Sequence, residues 1–481
     1  MSEAKAAPDC SADSQQDAQR KAALLEELRS AIGQTTGAPL PARDAVNQAM
    51  IRHWSDAMTD FNPCYIDPDF AAKSIHGEVV APPAMLNAWT MAGLHPPASL
   101  QGRGVDTYAK LDAAGYTSVV ATNSEHDYVR YLKLGETLHH STKLTEVSEE
   151  KATALGTGHF VTTVTEYTND AGEVVGAMTF RILKFRPGTG RMAASAESAA
   201  PAKPRPIRPK PGISRDTGFF WDGIAQGELR IQKCDCGALH HPPMVRCPKC
   251  GTYDLGWIVA SGRGKVYSHV EPVHPKIPSF DYPLIVGLIE LEEGTRLLSN
   301  VIDIEDEFVE IGMDVELAIQ ECNGVELPVF RPARPARRED TLHFEDVAVG
   351  DRMAPCPIPI TPTLIVSTAI ASRDYQDVHH DRDLAIKRGS PDIFMNILTS
   401  SGLSSRYATD WAGPEAVLKN LRIRLGVPNY PYDTMTMYGE VADKGAVTNG
   451  RGPVTLKIRG TNRMGHHLTG SIDLELPSNA A

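Results

Sequence analysis

Apolar residues recur along this chain in three stretches, each with its own period. Between residues 15 and 190, Leu24, Leu25, Leu28 and Ile32 fall on one helical face, and Met85 to Met91 reads as a second, buried helix. The runs that follow, 118–132, 137–148, 154–168 and 174–185, are rich in the β-branched and aromatic residues of strands. They are separated by turn chemistry such as Asn169-Asp170-Ala171-Gly172. Residues 341–481 repeat the plan, with an apolar run at 363–372, a helix expected near Phe394 to Tyr407, and strands at 418–425, 434–443, 453–462 and 469–476. For both segments this predicts one helix wrapped by a long antiparallel sheet. Residues 213–330 differ: a charged helix candidate, Asp216 to Gln226, precedes short strands at 264–273, 284–293, 295–303 and 314–322, sized for a small barrel. The expected class is α+β.

Two proline-rich stretches separate these segments. Residues 191–212 are rich in Pro and Ala and residues 331–340 in Pro and Arg, and prolines lack the donors that helix and sheet require. Residues 1–14 are small and polar and read as a disordered tail. The 481 residues accommodate about three domains at roughly 150 residues each. The linker arginines Arg331, Arg334, Arg337 and Arg338 read as solvated charge.

Charge narrows the function. Lys and Arg number 48 against 60 Asp and Glu, a formal charge of −12, so general attraction to nucleic acid or to an anionic membrane is not expected. Any polyanionic ligand must be caught by a local patch. No run of about 18 apolar residues exists, and the first residues lack the apolar core of a signal peptide, so a cytoplasmic protein is expected.

Four of the eight cysteines crowd into KCDCGALHHPPMVRCPKCG. Cys234, Cys236, Cys247 and Cys250 form two close pairs, and thiolates so spaced close a tetrahedral zinc site from two hairpins. Because Cys-Asp-Cys is one residue tighter than the usual knuckle, His240 or His241 could replace one thiolate. Four protein ligands leave no open position, so such a zinc is structural.

The main catalytic signal is ASRDYQDVHHD. Asp374 and His379 stand on different faces of a regular helix and converge only if the chain bends between them, for which Gln376-Asp377 is suitable. A carboxylate beside an imidazole can hold and deprotonate a water; a solvated polar loop is the plain alternative. A related stretch, SDAMTDFNPCYID, holds Asp60, Asn62, Pro63 and Tyr65. On their own, Asp60 reads as a cap and His76, in HGEVVAPPAML, as a surface or capping histidine.

HFEDVAVGD, then ASRDYQDVHHD, an apolar helix and four strands resemble a MaoC-like hydratase of the hot-dog fold over nearly all of 341–481. The family motif, Asp-x-Asn-Pro-x-His, places Asp374 and His379 on its catalytic pair, with Gln376 and Asp377 at the Asn-Pro positions. Met395 and Asn396 take the places of the family's His-Gly, so the resemblance assigns the Asn396 backbone N–H as donor to a thioester carbonyl. In 15–190 the motif's histidine is Tyr65, a phenol too weakly basic at neutral pH. This implies a hot-dog unit that has lost catalysis and shapes the acyl tunnel, with His76 to Leu86 at its helix entrance. The middle segment, through FFWDGIAQGELRIQKCDCGALHHPPMVRCPKCG and GKVYSHVEP, resembles the zinc-ribbon and OB-fold modules that accompany thiolase-like proteins and acyl-CoA enzymes.

Together the segments resemble a steroid side-chain enoyl-CoA hydratase with both subunits fused. The resemblance implies hydration of a bulky 2-enoyl-CoA to a 3-hydroxyacyl-CoA, with coenzyme A entering as part of the substrate. It also implies a thiolase-like aldolase docked on the zinc/OB module, a homodimer, and no nucleic-acid or membrane partner. The alternative is a non-catalytic acyl-CoA-binding scaffold for a thiolase-like partner.

Overall fold

A computed structural model describes residues 10–35, 38–95, 106–190, 206–322 and 324–479. Most of the first linker, 191–205, lies outside the described residues, as does 1–9 of the expected tail. Residues 10–14 of that tail are helical, because helix α1 spans Cys10–Ser30.

The outer segments share one eleven-stranded sheet. From edge to edge its main path runs through Leu40–Pro41, Leu138–Val147, Thr157–Asn169, Val174–Arg186 and Ser118–Tyr128, then Val417–Leu425, Gly465–Pro477, Arg451–Asn462, Asp433–Lys444 and Arg352–Ile360. The halves join where Ser118–Tyr128 pairs antiparallel with Val417–Leu425, from Asn420 opposite Asp127 to Arg424 opposite Asn123. Asn420 donates to Asp127 at 2.5 Å and Arg422 meets Glu125 at 2.6 Å along this seam. The seam pairing is what makes two hot-dog units one body. Strand Arg352–Ile360 gave no strand signal because it carries Pro355, Pro357 and Pro359; it sits at the sheet's edge, where prolines forfeit no ladder partner.

Each half sends one helix into its motif. Helix α2, Gln48–Met58, is capped by Asn47, whose side chain accepts from the Met50 N–H, and it buries Ile51, Trp54, Ser55 and Met58. The middle segment supplies α3, Gly218–Ile224, shorter at both ends than the charge pattern suggested. In the second half α4, Pro362–Ala371, starts on Thr361 with proline in its first turn. Helix α5, Ile397–Ala412, starts on Asn396 and is buried on nearly every face.

The expected helix over Met85 to Met91 does not form. Two single 3₁₀ turns, Pro83–Met85 and Ala88–Thr90, take its place. Pro82 and Pro83 remove two donors where a helix would begin, and Met91 returns to extended backbone. The first half is thus wrapped partly around its neighbour's helix: at Gly402 of α5 an added Cβ would lie 2.9 Å from Met58 and Trp54 of α2.

In the middle segment, Arg230–Lys233, Leu239–His240 and Gly256–Val259 form a three-stranded ribbon. A closed five-stranded barrel follows, ordered Arg263–Val270, Ile285–Leu291, Arg296–Val301, Val325–Pro332 and Asp314–Cys322. It is an OB-like barrel with its own apolar core around Val266, Ile289 and Phe330.

Candidate active site and metal centre

The bend that the Asp374–His379 spacing requires begins at the end of α4. Arg373 adopts a left-handed backbone, φ 59°, and the Asp374 N–H still bonds back to the Ala369 carbonyl at 2.9 Å. A single 3₁₀ turn over Asp377–His379 then returns the chain, leaving Asp374 and His379 both buried. His379 Nε2 lies 3.5 Å from Asp374 Oδ2.

The imidazole is oriented from its other side. His379 Nδ1 lies 2.7 Å from the Phe394 carbonyl oxygen, which can only accept, so Nδ1 donates to it and Nε2 is the ring nitrogen aimed at the carboxylate. The Phe394 ring meets the imidazole edge-on at 5.1 Å. Asn396 closes the group: its Nδ2 donates to Asp374 Oδ2 at 3.1 Å, and its backbone begins α5. All three residues singled out in this half converge at one buried point. Of the two positions that depart from the family motif, Gln376 is exposed, while Asp377 pairs with Arg388 at 2.6 Å. Neither side chain joins the group.

Sequence reading missed Ser372, Phe394 and Thr399, which hold this group in place. Ser372 and Thr399 carry ordinary capping residue types, and Phe394 acts through its backbone, so no side-chain signal could have found them.

The first half has the same start and a different end. Thr59 is left-handed, φ 52°, and the Asp60 N–H bonds back to Ser55. Asn62 caps the next turn by accepting from the Cys64 N–H at 3.0 Å, and its Nδ2 donates to the Pro414 carbonyl at 3.1 Å. Tyr65, at the histidine position, is buried among Cys64, Tyr128 and Tyr131, and burial holds its phenol well above the usual range. Asp60 is also buried, and its Oδ1 has no hydrogen-bond partner among the described residues. Burial, and then Asp410, push its carboxyl up to about 7 against the pull of Arg406. His76 stacks on Tyr131 at 4.8 Å and is pushed down to about 4, chiefly by burial.

Arg406 is the residue here that the hydrophobic pattern should have flagged, being a charge in the middle of a buried helix. It donates to the Met58 carbonyl and to the Thr59 hydroxyl, both at 2.5 Å. Three of the four linker arginines are not free solvated charge, while Arg338 is exposed. Arg337 donates to the Phe61 carbonyl at 2.5 Å, Arg334 to that of Thr59 at 3.4 Å, and Arg331 pairs with Glu316. The linker closes over the first motif because that loop presents carbonyl oxygens needing donors. Only a cleft of about 260 Å³ remains there, lined by Thr59, Phe61, Arg334, Arg337 and Asp410 among others.

The metal centre forms as the spacing predicts. The four sulfurs of Cys234, Cys236, Cys247 and Cys250 lie within 4.8 Å of one another. Cys234 to Cys250 is 3.4 Å and Cys236 to Cys247 is 3.7 Å, close to the roughly 3.8 Å between thiolates on one tetrahedral zinc. The set therefore fits the ion with thiolates alone. His241 instead packs against Phe220, with ring centroids 5.2 Å apart.

Three family models match the chain: FAS1-like, dehydratase domain region, over 30–178; the ChsH2 rubredoxin-like zinc ribbon domain, over 221–255; and the ChsH2 C-terminal OB-fold domain, over 257–320. The chain is 41% identical over 315 residues, 64% of its length and 97% of the relative's, to a probable enoyl-CoA hydratase alpha subunit of Thermomonospora curvata. It is 56% identical over 115 residues, 24% of its length and 85% of the relative's, to the 3-oxo-4,17-pregnadiene-20-carboxyl-CoA hydratase beta subunit of Mycobacterium tuberculosis. A solved MaoC-like dehydratase, 15% identical, covers 94% of this chain and all of its own with a TM-score of 0.52, a likeness of fold.

Proposed function

The chain belongs to the enoyl-CoA hydratase family whose alpha and beta subunits it matches, and on that premise we propose that it adds water to a bulky 2-enoyl-CoA, the side chain of a steroid being the favoured acyl group. The alpha-type portion is read as 15–330 and the beta-type portion as the catalytic half, 341–481. The carrying observation is the 3.5 Å approach of Asp374 Oδ2 and His379 Nε2, with the other imidazole nitrogen committed to Phe394.

A water between the two groups donates one hydrogen bond to the carboxylate and one to Nε2. As its oxygen bonds to C3, Nε2 takes the proton and the C2–C3 π pair moves toward the thioester oxygen. The Asn396 N–H at the start of α5 stabilises that oxygen. Return of the proton to C2 completes the addition of one water, and dehydration is the same path reversed. The first half contributes no base; with two short 3₁₀ turns where the second half has its central helix, it leaves room for a bulky acyl group.

The four thiolates hold a structural zinc that folds the ribbon. The ribbon and barrel dock a thiolase-like aldolase that takes the hydrated product, and the whole acts as a cytoplasmic homodimer. No helix among the described residues is long and apolar enough to cross a membrane.

The test is mass spectrometry of a panel of enoyl-CoA thioesters incubated with the protein, reading the gain of one water. Asp374→Asn is expected to lower turnover by ~10²-fold or more. Turnover near wild type in that variant would sink the assignment. Binding of thioesters with no hydration, even beside an aldolase partner, would leave the chain a scaffold.

A further inference from the structure

We infer that the side-chain amide of Asn396 is a positioning group for Asp374, doing from the start of α5 what the exposed Gln376 cannot do from the motif itself. This rests on the hydratase reading of the site and goes beyond the backbone N–H assigned there.

The hydrogen bonds leave the amide one orientation. Asn396 Oδ1 accepts from the Thr399 N–H at 2.8 Å and from the Thr399 hydroxyl at 2.5 Å. A backbone N–H can only donate, so the oxygen must face the helix and the nitrogen must face away. The two Nδ2 protons then go to Asp374 Oδ2 at 3.1 Å and to Ser372 Oγ at 3.0 Å. Ser372 in turn donates to the Thr368 carbonyl at 2.8 Å, so its oxygen is free to accept. One buried amide thus ties the last turn of α4 to the first turn of α5, with Asp374 on the tie.

The consequence lies in a soft torsion. Rotation of an aspartate carboxylate about its last bond is broad and roughly two-fold. A donor fixed to the helix and aimed at Oδ2 removes that freedom and sets the carboxylate plane relative to His379. Gln376 makes no cap bond and lies exposed, so among the described residues the amide that reaches Asp374 is that of Asn396. The ionisable groups around it are Asp374 and His379 on the motif loop and His467 on strand Gly465–Pro477, which meets α5 one turn further on at Ser400. His467 donates from Nδ1 to the Val427 carbonyl at 2.7 Å, and burial pushes it down to about 4, so the neutral ring accepts from the Ser400 hydroxyl at Nε2 over 2.9 Å.

Asn396→Asp tests the inference without removing the helix cap, since Asn and Asp cap equally well. The substituted carboxylate keeps the Thr399 bonds and loses the N–H donor. At pH 8 kcat should fall ~10- to 100-fold with KM within about twofold, the signature of a misplaced group at the reacting centre. Two adjacent carboxyls share a proton as pH falls, and the shared O–H replaces the missing donor. The deficit relative to wild type should therefore shrink severalfold between pH 8 and pH 6, which loss of a merely structural contact would not produce. Gln376→Ala should stay within about twofold of wild type. If Asn396→Asp matches wild type at both pH values while Asp374→Asn is inactive, the inference is overturned and the hydratase site stands. Full turnover in Asp374→Asn overturns both.

Discussion

The two hot-dog halves begin their motifs alike and finish them differently. Each runs helix, left-handed residue, aspartate: Thr59 before Asp60, and Arg373 before Asp374. In the second half the aspartate meets a histidine whose second nitrogen is fixed and an amide from α5. In the first, Asp60 faces a buried arginine, the histidine position is a phenol, and the linker lies over the loop. A shared backbone device is therefore compatible with chemistry in one place and with a buried packing contact in the other. What separates them is the neighbour each half faces. The second half builds a long central helix whose N-terminus delivers Asn396; the first half has only two short turns at that place, and its motif is packed instead against the C-terminal end of α5.

The sharpest way to break this contrast is at the base position. His379→Ala should cost ~10²- to 10⁴-fold in kcat, whereas Tyr65→Phe should leave kcat within about twofold. Equal losses in steady-state assays of the two variants would mean that both halves are catalytic. Next in size is the cap. Asn62→Ala removes a buried acceptor for the Cys64 N–H and a donor for the Pro414 carbonyl, and denaturant unfolding should show a loss of about 1–3 kcal/mol. Gln376→Ala, at the equivalent exposed place, should change stability by less than about 0.5 kcal/mol. A reversed ranking would mean that the motif's amide position is structural in the wrong half.

The smallest effect is a slope with pH. In the folded chain the Asp60 carboxyl ionises near 7, against a usual value of 3.8. Between those values the unfolded chain has released the proton and the folded chain keeps it, so this group's contribution to stability declines as pH rises through that window. Asp60→Asn removes the decline. Its melting temperature minus that of wild type should increase from pH 5 to pH 8, and a flat or falling difference would show that Arg406 keeps Asp60 ionised.

Local pattern carried much of this protein. Four strands per half and four of the five barrel strands follow from alternation and β-branched content, which act over a few residues; the fifth barrel strand, Val325–Pro332, runs into the proline-rich stretch that composition reads as linker. The zinc thiolates were legible because two hairpins suffice to bring them together, and the family motif pointed to Asp374 and His379. Proline misled twice in opposite directions: at Pro82-Pro83 it broke an expected helix, and at Pro355, Pro357 and Pro359 it hid an edge strand. Linker composition also misled, since Arg334 and Arg337 find backbone carbonyls of a loop more than 270 residues earlier in the chain.

The chain's periodicity and turn residues thus pointed to the α+β class and its cysteine spacing to the metal ligands, because those signals rest on short-range geometry, while Asp374 and His379 were nominated by the resemblance to the hydratase motif. Only the tertiary structure decided that one aspartate is held by Asn396 beside a histidine while the other is buried in the field of Asp410 and Arg406. Those partners come from a helix and a linker far along the chain, and no local pattern records which donor a buried carboxylate will meet.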